Sequence, residues 1–192
     1  MRTNESRTEA TRAALVGAAR KLFAQKGYAE TSTPEIVKAA GVTRGALYHH
    51  FEDKEALFRT VIVEEYQAVA EEISHAATGT PVSALDALRQ GSRGYMAAMQ
   101  DPGRVRIMLR DGPAVLGQTQ LDKIDRETSA NTLRQGLEEA MQTKQIKTLP
   151  IEALTMQLSA LFDRAALAVA EGNDPEDHLE VLEALIQSLA RQ

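Results

Sequence analysis

The chain has 192 residues, a net charge of −5 and no cysteine, which is long enough for one large domain or a small domain joined to a larger one. The absence of cysteine excludes disulfides and thiolate metal ligands, and no apolar run approaches the roughly 20 residues that span a bilayer. Residues 1–60 carry ten Lys or Arg against seven Asp or Glu, whereas the remainder carries twelve against twenty. Only the first 60 residues are therefore suited to contact a polyanion, and we expect a cytoplasmic protein.

The sequence predicts an all-α fold of about nine helices. Apolar residues recur at helical spacing almost throughout, and no segment alternates with the period of two that a half-buried strand requires. The capping-box pattern from Ser6 to Glu9 predicts the start of the first helix, which Gly27 ends. Thr33 is predicted to cap the second helix, because a proline follows it, and Gly41 is predicted to end that helix.

The third and fourth helices are predicted to follow after short turns. Thr43 is predicted to cap the third helix and Asp53 the fourth, which runs from about Lys54 to Ala77. No linker composition separates the beginning of the chain from the rest. We therefore place a domain boundary inside the fourth helix, which divides the chain into residues 1–58 and 59–192.

Proline and glycine positions divide the rest of the chain into five further predicted helices. Breaks are predicted at Asp101-Pro102-Gly103 and at Asp111-Gly112-Pro113. The predicted helices cover about Thr80 to Gln100, a short piece through Met108, about Thr119 to Lys144, Pro150 to Glu171, and Pro175 to near Arg191.

The segment from Thr33 to Phe51 reads as two short helices around a tight turn at Gly41. Ile36, Ala40, Val42 and Leu47 fall where these helices must face each other and the first helix. The residues that remain on the outer side are suited to contact DNA. A guanidinium can donate two hydrogen bonds to guanine or to a phosphate, and a glycine allows the backbone to approach the DNA closely. This outward set is Thr43, Arg44, Gly45, Tyr48 and His49.

The run GVTRGALYHHF followed by EDKEALF resembles the signature of the tetracycline-repressor (TetR/AcrR) family, over about residues 8 to 58. The resemblance implies a helix-turn-helix DNA-binding domain in residues 1–58 and a helical ligand-binding and dimerisation domain in residues 59–192. It also implies a homodimer formed through the last two helices. By this resemblance, the residues assigned to DNA contact are Thr33, Thr43, Arg44, Tyr48, His49 and Lys54.

The sequence offers little support for an enzyme, a metal site or a cofactor. Adjacent helical residues such as His49 and His50 point about 100° apart, and no third ligand lies near them in sequence. No nucleophile-elbow pattern, glycine-rich phosphate loop or His-Glu-x-x-His motif is present. We therefore expect no enzymatic activity, no metal and no cofactor.

The last two predicted helices, at about 150–171 and 175–190, each carry an apolar stripe. These stripes either close the core of the monomer or pair with a second copy as a four-helix bundle, and we expect them to do both. A twofold dimer would present its recognition helices about 34 to 36 Å apart, in successive major grooves of a palindromic operator.

A ligand cavity is predicted between these helices and the fifth, because methionines suit an adaptable apolar site and a buried charge orients a polar ligand. Methionines at helical spacing equally fit plain core packing. The candidate ligand-binding residues are Tyr95, Met96, Met99, Met108, Arg110, Asp111, Phe162 and Asp163.

The leading hypothesis is a repressor that a small-molecule effector releases from its operator, with the fourth helix as the coupling element. One alternative is a constitutive or architectural DNA-binding protein without an effector. Another is a helical protein-interaction module that does not bind DNA.

Overall fold

The computed structural model describes residues 4–76 and 83–191, and nearly all of them are helical. The predicted all-α fold is confirmed, although the count of about nine helices is too low. The described residues form eleven α-helices and one π-helical segment: α1 (Asn4–Lys26), α2 (Thr33–Ala40), α3 (Arg44–His50), α4 (Lys54–Ala76), α5 (Ala84–Ala98), α6 (Pro102–Val105), the π segment (Arg106–Asp111), α7 (Gly112–Leu116), α8 (Gln118–Glu127), α9 (Ser129–Gln142), α10 (Ile151–Ala170) and α11 (Pro175–Ser188).

Helix α1 begins at Asn4 rather than at the predicted capping box. Ser6 is the third residue of the helix and therefore does not cap it. The helix ends at Lys26, since Gly27 adopts a φ of 88° that residues with a Cβ rarely adopt. The predicted end of α1 is therefore confirmed and the predicted start is wrong.

Helix α2 is capped by Ser32 and not by Thr33. The backbone N–H and the hydroxyl of Ser32 donate to Glu35 Oε2 at 3.0 and 2.7 Å. Thr33 and Pro34 occupy the first two helical positions, where the missing N–H of proline leaves no helical bond unmade. The sequence placed the cap one residue late because serine and threonine both cap well.

The turn between α2 and α3 has the predicted geometry. Gly41 ends α2 with a φ of 67°, and Thr43 caps α3 by accepting a 3.2 Å hydrogen bond from the backbone N–H of Ala46. Ile36 and Leu47 are fully buried between the two helices and α1. Burial of this side leaves the opposite side of α3 exposed to solvent.

Helix α4 runs without a break from the three-helix group to the helices that follow. The carboxylate of Asp53 caps it by accepting a 2.7 Å hydrogen bond from the N–H of Ala56. Near its start, Phe58 packs edge-on against Phe23 of α1, with ring centroids 5.0 Å apart. Further along, Tyr66 is buried against the later helices. One helix therefore contacts both parts of the chain.

Helix α5 begins at Ala84, where the Ser83 hydroxyl accepts a 3.1 Å hydrogen bond from the N–H of Asp86. The predicted start at Thr80 and Pro81 lies outside the described residues.

The predicted break at Asp111-Gly112-Pro113 is wrong, because residues 102–116 are continuously helical. The π segment accommodates Pro113 without interrupting the helix. In its wide turn, the N–H of Gly112 donates to the carbonyl of Ile107 five residues earlier. A Cβ on Gly112 would lie 3.1 Å from that carbonyl oxygen, so glycine permits the close turn. The break comes instead at Gly117, whose φ is 78°.

The predicted helix over residues 119–144 is divided in two at Thr128. The Thr128 hydroxyl donates to the carbonyl of Ile124 at 2.7 Å. The carboxylate of Asp125 accepts from the Ser129 hydroxyl and the Ala130 N–H, at 2.7 and 3.1 Å, and so caps the start of α9. These side chains compete with the helical backbone bonds and redirect the chain.

Helix α10 is a long and strongly apolar helix. By length and composition alone it could cross a membrane, with a mean hydropathy of 1.2. It packs instead against α5, α6, α9 and α11, and it carries Asp163 and Arg164 near its middle. The apolar side chains that it leaves exposed therefore belong to a helix held within the fold.

Candidate nucleic-acid interface

The five residues predicted on the outer side of α3 and at its cap are all exposed. Tyr48 has 46% of its surface accessible, although aromatic residues are usually more buried. The predicted orientation is confirmed, while contact of these residues with DNA stays a prediction. The exposed set is Thr43, Arg44, Gly45, Tyr48 and His49.

Thr33, Arg44 and Tyr48 form one polar cluster that joins the start of α2 to α3. The guanidinium carbon of Arg44 lies 5.5 Å from the centroid of the Tyr48 ring. Hydrogen bonding from Arg44 and then from Thr33 lowers the pKa of the Tyr48 hydroxyl. The cluster therefore holds a cation and two hydroxyls together on the exposed side of the turn.

Gly45 is exposed, and packing within the chain does not require a glycine there. A Cβ at this position would meet only the Thr43 hydroxyl, at 3.8 Å, which is an ordinary contact. The backbone of Gly45 lies in a helix, so its conformation suits other residues equally well. The space above Gly45 is thus open to a binding partner.

The structure places Lys54 differently from the other predicted DNA contacts. Its ammonium donates to the backbone carbonyls of Tyr28 and Thr31, both at 3.0 Å, and lies 4.0 Å from the centroid of the Tyr28 ring. Two of its three N–H donors are thus used inside the chain. Lys54 holds the turn between α1 and α2 against the start of α4.

A cavity of about 390 Å³ lies among α4, α5, α8, α9 and α10. Four of the eight predicted ligand-binding residues line it: Tyr95, Met108, Phe162 and Asp163. The neighbouring Arg164 points away, because 66% of its side chain is exposed. Of the two adjacent charged residues on α10, only the carboxylate therefore lines the cavity.

The other four predicted ligand-binding residues lie elsewhere, which corrects their assignment to the cavity. Met96 and Met99 are packed in the core, with 6% and 3% of their surfaces accessible. Arg110 is exposed to solvent. Asp111 accepts a 2.8 Å hydrogen bond from the backbone N–H of Tyr28, at the turn after α1. The unpredicted π turn rotates residues 110 and 111 away from the cavity.

Several polar residues line the cavity that were not predicted from the sequence, including Tyr66, Asp125, Ser129 and Glu139. They come from three helices, and each stands among polar neighbours that suggest a solvated face. Asp125 lines the cavity because the chain turns at Thr128. No local pattern in the sequence signals that turn.

Burial dominates the electrostatics of the cavity. It raises the pKa of Asp163 to about 6, although the Tyr95 hydroxyl opposes this by donating to Asp163 Oδ1 at 2.6 Å. Burial likewise raises the pKa of Asp125 and that of the Tyr66 hydroxyl. The cavity therefore disfavours negative charge on Asp163 and on Asp125.

The π segment lies between the cavity and the turn after α1. Met108 lines the cavity, while the carboxylate of Asp111 binds the N–H of Tyr28. Arg106 Nη1 donates to the carbonyls of Ala24 and Gln25 at 3.2 and 2.6 Å, at the end of α1. One short segment thus contacts the cavity and the helix that supports α2 and α3.

A network of ion pairs connects the same parts of the chain. Glu65 of α4 is buried and pairs with Arg20 of α1 at 2.5 Å and with Arg104 of α6 at 2.9 Å. Arg20 also pairs with Asp101 at 2.7 Å, and Arg104 with Glu72 at 2.9 Å. Because Glu65 is buried, displacing one arginine would leave its carboxylate with a single partner, and displacing both would leave a costly unpaired charge.

Helices α10 and α11 share an exposed apolar surface. Met156 and Val181 have 63% and 58% of their surfaces accessible, and Leu161 and Leu185 have 43% and 41%. Leu161, Val181 and Leu185 line one groove between the two helices, and exposed apolar side chains that cluster in this way usually mark an interaction site. We refer to these three residues, together with Met156 nearer the start of α10, as the α10–α11 surface.

The short helices around Gly41, the exposed side of α3 and the helical remainder together define a helix-turn-helix DNA-binding regulator. Residues 15–61 match the family model of bacterial regulatory proteins of the tetR family, and residues 85–192 match that of the tetracyclin repressor-like C-terminal domain. The chain belongs to the tetR family, and it is a transcriptional regulator rather than an enzyme.

Three similar proteins cover almost the whole chain. The HTH-type transcriptional repressor AcnR of Corynebacterium efficiens is 29% identical, over 94% of this chain and 93% of its own. A TetR-family transcriptional regulator from Pectobacterium atrosepticum is 30% identical, with a TM-score of 0.79 over 100% of this chain and 99% of its own. RolR, solved in complex with the ligand resorcinol, has the same fold, at 18% identity and a TM-score of 0.76 over 97% of this chain and 90% of its own.

Proposed function

We propose that this regulator is a repressor in the cytoplasm that binds a palindromic operator as a homodimer and is released by a small-molecule effector. The observation that carries the DNA-binding part is the open, exposed side of α3 around Gly45. The Thr33, Arg44 and Tyr48 cluster holds donors beside it, so the turn presents hydrogen-bonding groups to a base edge or a phosphate. Residues Thr43 and His49 extend this surface.

Dimer formation is supported by the α10–α11 surface. Two antiparallel helices with exposed apolar residues bury that surface when they pack against their symmetry mates in a four-helix bundle. A twofold arrangement presents one α3 from each protomer, and two recognition helices about 34 to 36 Å apart fit successive major grooves. The operator is then palindromic.

The effector response is supported by the cavity and by its physical connection to the DNA-binding domain. RolR was solved with resorcinol, and a cavity of about 390 Å³ suits a small organic molecule of that general kind. A ligand beside Met108 and Tyr66 contacts the π segment and α4. Asp111, Lys54 and the Glu65 ion pairs transmit a shift of these elements to α1 and its following turn.

Selection of operators from random duplexes tests the DNA-binding proposal. We expect a palindromic consensus whose affinity falls with added salt, because phosphate contacts release counterions. Arg44→Ala is expected to weaken binding by about 1 to 3 kcal/mol, whereas the matched control Arg126→Ala, at an exposed position on α8, leaves it unchanged. Enrichment of no sequence at all would refute the proposal and favour a protein-interaction module.

A thermal-shift screen of metabolites tests the effector part. A compound that binds only the folded chain raises the melting temperature, and the same compound must then lower operator affinity. Operator binding that no stabilising compound changes would instead support a constitutive DNA-binding protein.

A further inference from the structure

The cavity contains carboxylates without a basic partner. Asp163 from α10 and Asp125 from α8 line it, and Glu139 from α9 is a third acidic residue of the lining. Among the lining residues that the structure describes there is no lysine, arginine or histidine. Neither Asp163 nor Asp125 forms a salt bridge with another described residue. The charged side chains of the described lining are therefore all acidic.

The hydrogen bonds to Asp163 and Asp125 from the described residues come from neutral donors. Asp163 accepts from the Tyr95 hydroxyl at 2.6 Å. Asp125 accepts from the Ser129 hydroxyl at 2.7 Å and from the backbone N–H of Ala130 at 3.1 Å. A buried carboxylate without a counter-ion costs free energy that neutral donors offset only in part. A ligand that supplied positive charge would remove this cost.

Aromatic rings stand beside the carboxylates. Tyr95 and Phe162 lie in contact, with ring centroids 5.3 Å apart, and Tyr66 of α4 lines the same cavity. The face of an aromatic ring attracts a cation and also packs against an apolar ligand body. Rings and carboxylates together match a ligand that is apolar over most of its surface and positively charged at one end.

Resting on the effector response proposed above, we infer that the effector is an organic monocation with an apolar body, such as a protonated amine or a quaternary ammonium. Its charge lies near Asp163 and Asp125, and its apolar part packs between Tyr66, Tyr95 and Phe162. An anionic effector would meet only like charge here. A neutral hydroxyl compound would compete with Tyr95 for Asp163.

The test compares two probes of nearly equal shape, trimethyl(4-hydroxyphenyl)ammonium and 4-tert-butylphenol, by isothermal titration of the full chain. We expect the cation to bind at least about tenfold more tightly than the phenol, because charge attraction and cation–π contacts act only on the cation. Asp163→Asn, which keeps an acceptor for Tyr95, is expected to remove most of this preference. The control Glu127→Gln, exposed at the end of α8 and outside the lining, is expected to retain it.

Equal or tighter binding of the phenol, binding of neither probe, or a preference that survives both Asp163→Asn and Asp125→Asn would overturn the inference. Release of a selected operator, measured in parallel, separates this inference from the proposed function. A phenol that binds best and releases the operator leaves the effector response standing. If the cation binds best but does not release the operator, the cation site is supported and the proposed effector response is refuted.

Discussion

Replacement of Asp163 by asparagine is expected to stabilise the protein at neutral pH and not at acid pH. Asparagine keeps the shape of the side chain and an oxygen that accepts from Tyr95, but it removes the ionisable group. The groups that face Asp163 from the surrounding helices are the hydroxyls of Tyr66 and Tyr95 and the carboxylates of Asp122 and Asp125. None of them carries positive charge.

The size of this change in the free energy of unfolding follows from the pKa of Asp163, which burial raises from 3.8 to about 6. The folded state then binds more protons than the unfolded state between these values, so the contribution of Asp163 to the free energy of unfolding falls as pH rises. A shift of about two units corresponds to about 3 kcal/mol lost above pH 7, and to less where water enters the cavity. Well below pH 3.8 both states are protonated and the loss vanishes.

Urea unfolding of the wild type and of Asp163→Asn, at one protein concentration and at several pH values from 4 to 8, measures this effect. We expect the variant to gain up to about 3 kcal/mol relative to the wild type at pH 7.5. The gain should shrink steadily toward pH 4. Glu127→Gln serves as the control for removing an exposed carboxylate on the same helix α8. A pH-independent difference, or a variant less stable at pH 7.5 than at pH 4 relative to the wild type, would refute the reasoning.

Three further predictions concern other parts of the chain. Lys54→Met is expected to lower the free energy of unfolding by about 2 to 4 kcal/mol, because two backbone carbonyls lose a charged donor. If stability is unchanged and the operator affinity instead depends less steeply on salt concentration, Lys54 is a phosphate contact. Gly103→Ala is expected to lower the free energy of unfolding by about 1 to 3 kcal/mol, measured by thermal melting, since the new Cβ would lie 2.6 Å from the Cβ of Ala24. Unchanged stability would show that α1 and α6 separate freely. Val181→Glu is expected to yield a folded monomer by analytical ultracentrifugation, and a dimer that persists at micromolar concentration would place the interface elsewhere.

The DNA-binding end of the chain could be predicted from the sequence because its signals are local. Gly41 and Thr43 mark a turn by their own backbone preferences, and Leu47 marks the buried side of α3 by its spacing. The cap of α2 at Ser32 was missed by one residue, because two good capping residues are adjacent. Lys54 was assigned by resemblance, which does not reveal that its ammonium is held by backbone carbonyls.

The cavity could be predicted only in part, because distant elements assemble it. Tyr95 and Phe162 were found by their apolar character, whereas Asp125 reaches the cavity through a turn that side-chain hydrogen bonds create. The prediction for Asp111 failed because a proline usually breaks a helix. Here a π turn absorbs the proline, and the carboxylate of Asp111 contacts Tyr28 instead.

The affinity of Gly45→Ala for a selected palindromic duplex tests the central claim most directly, since an added methyl group has open space within the chain. Fluorescence anisotropy at fixed salt should show two protomers bound per duplex. It should also show a loss of at least about tenfold for Gly45→Ala, with a melting temperature that is not lowered, because alanine favours the helix more than glycine does. Full affinity in both Gly45→Ala and Arg44→Ala would contradict the claim that the exposed side of α3 binds the operator.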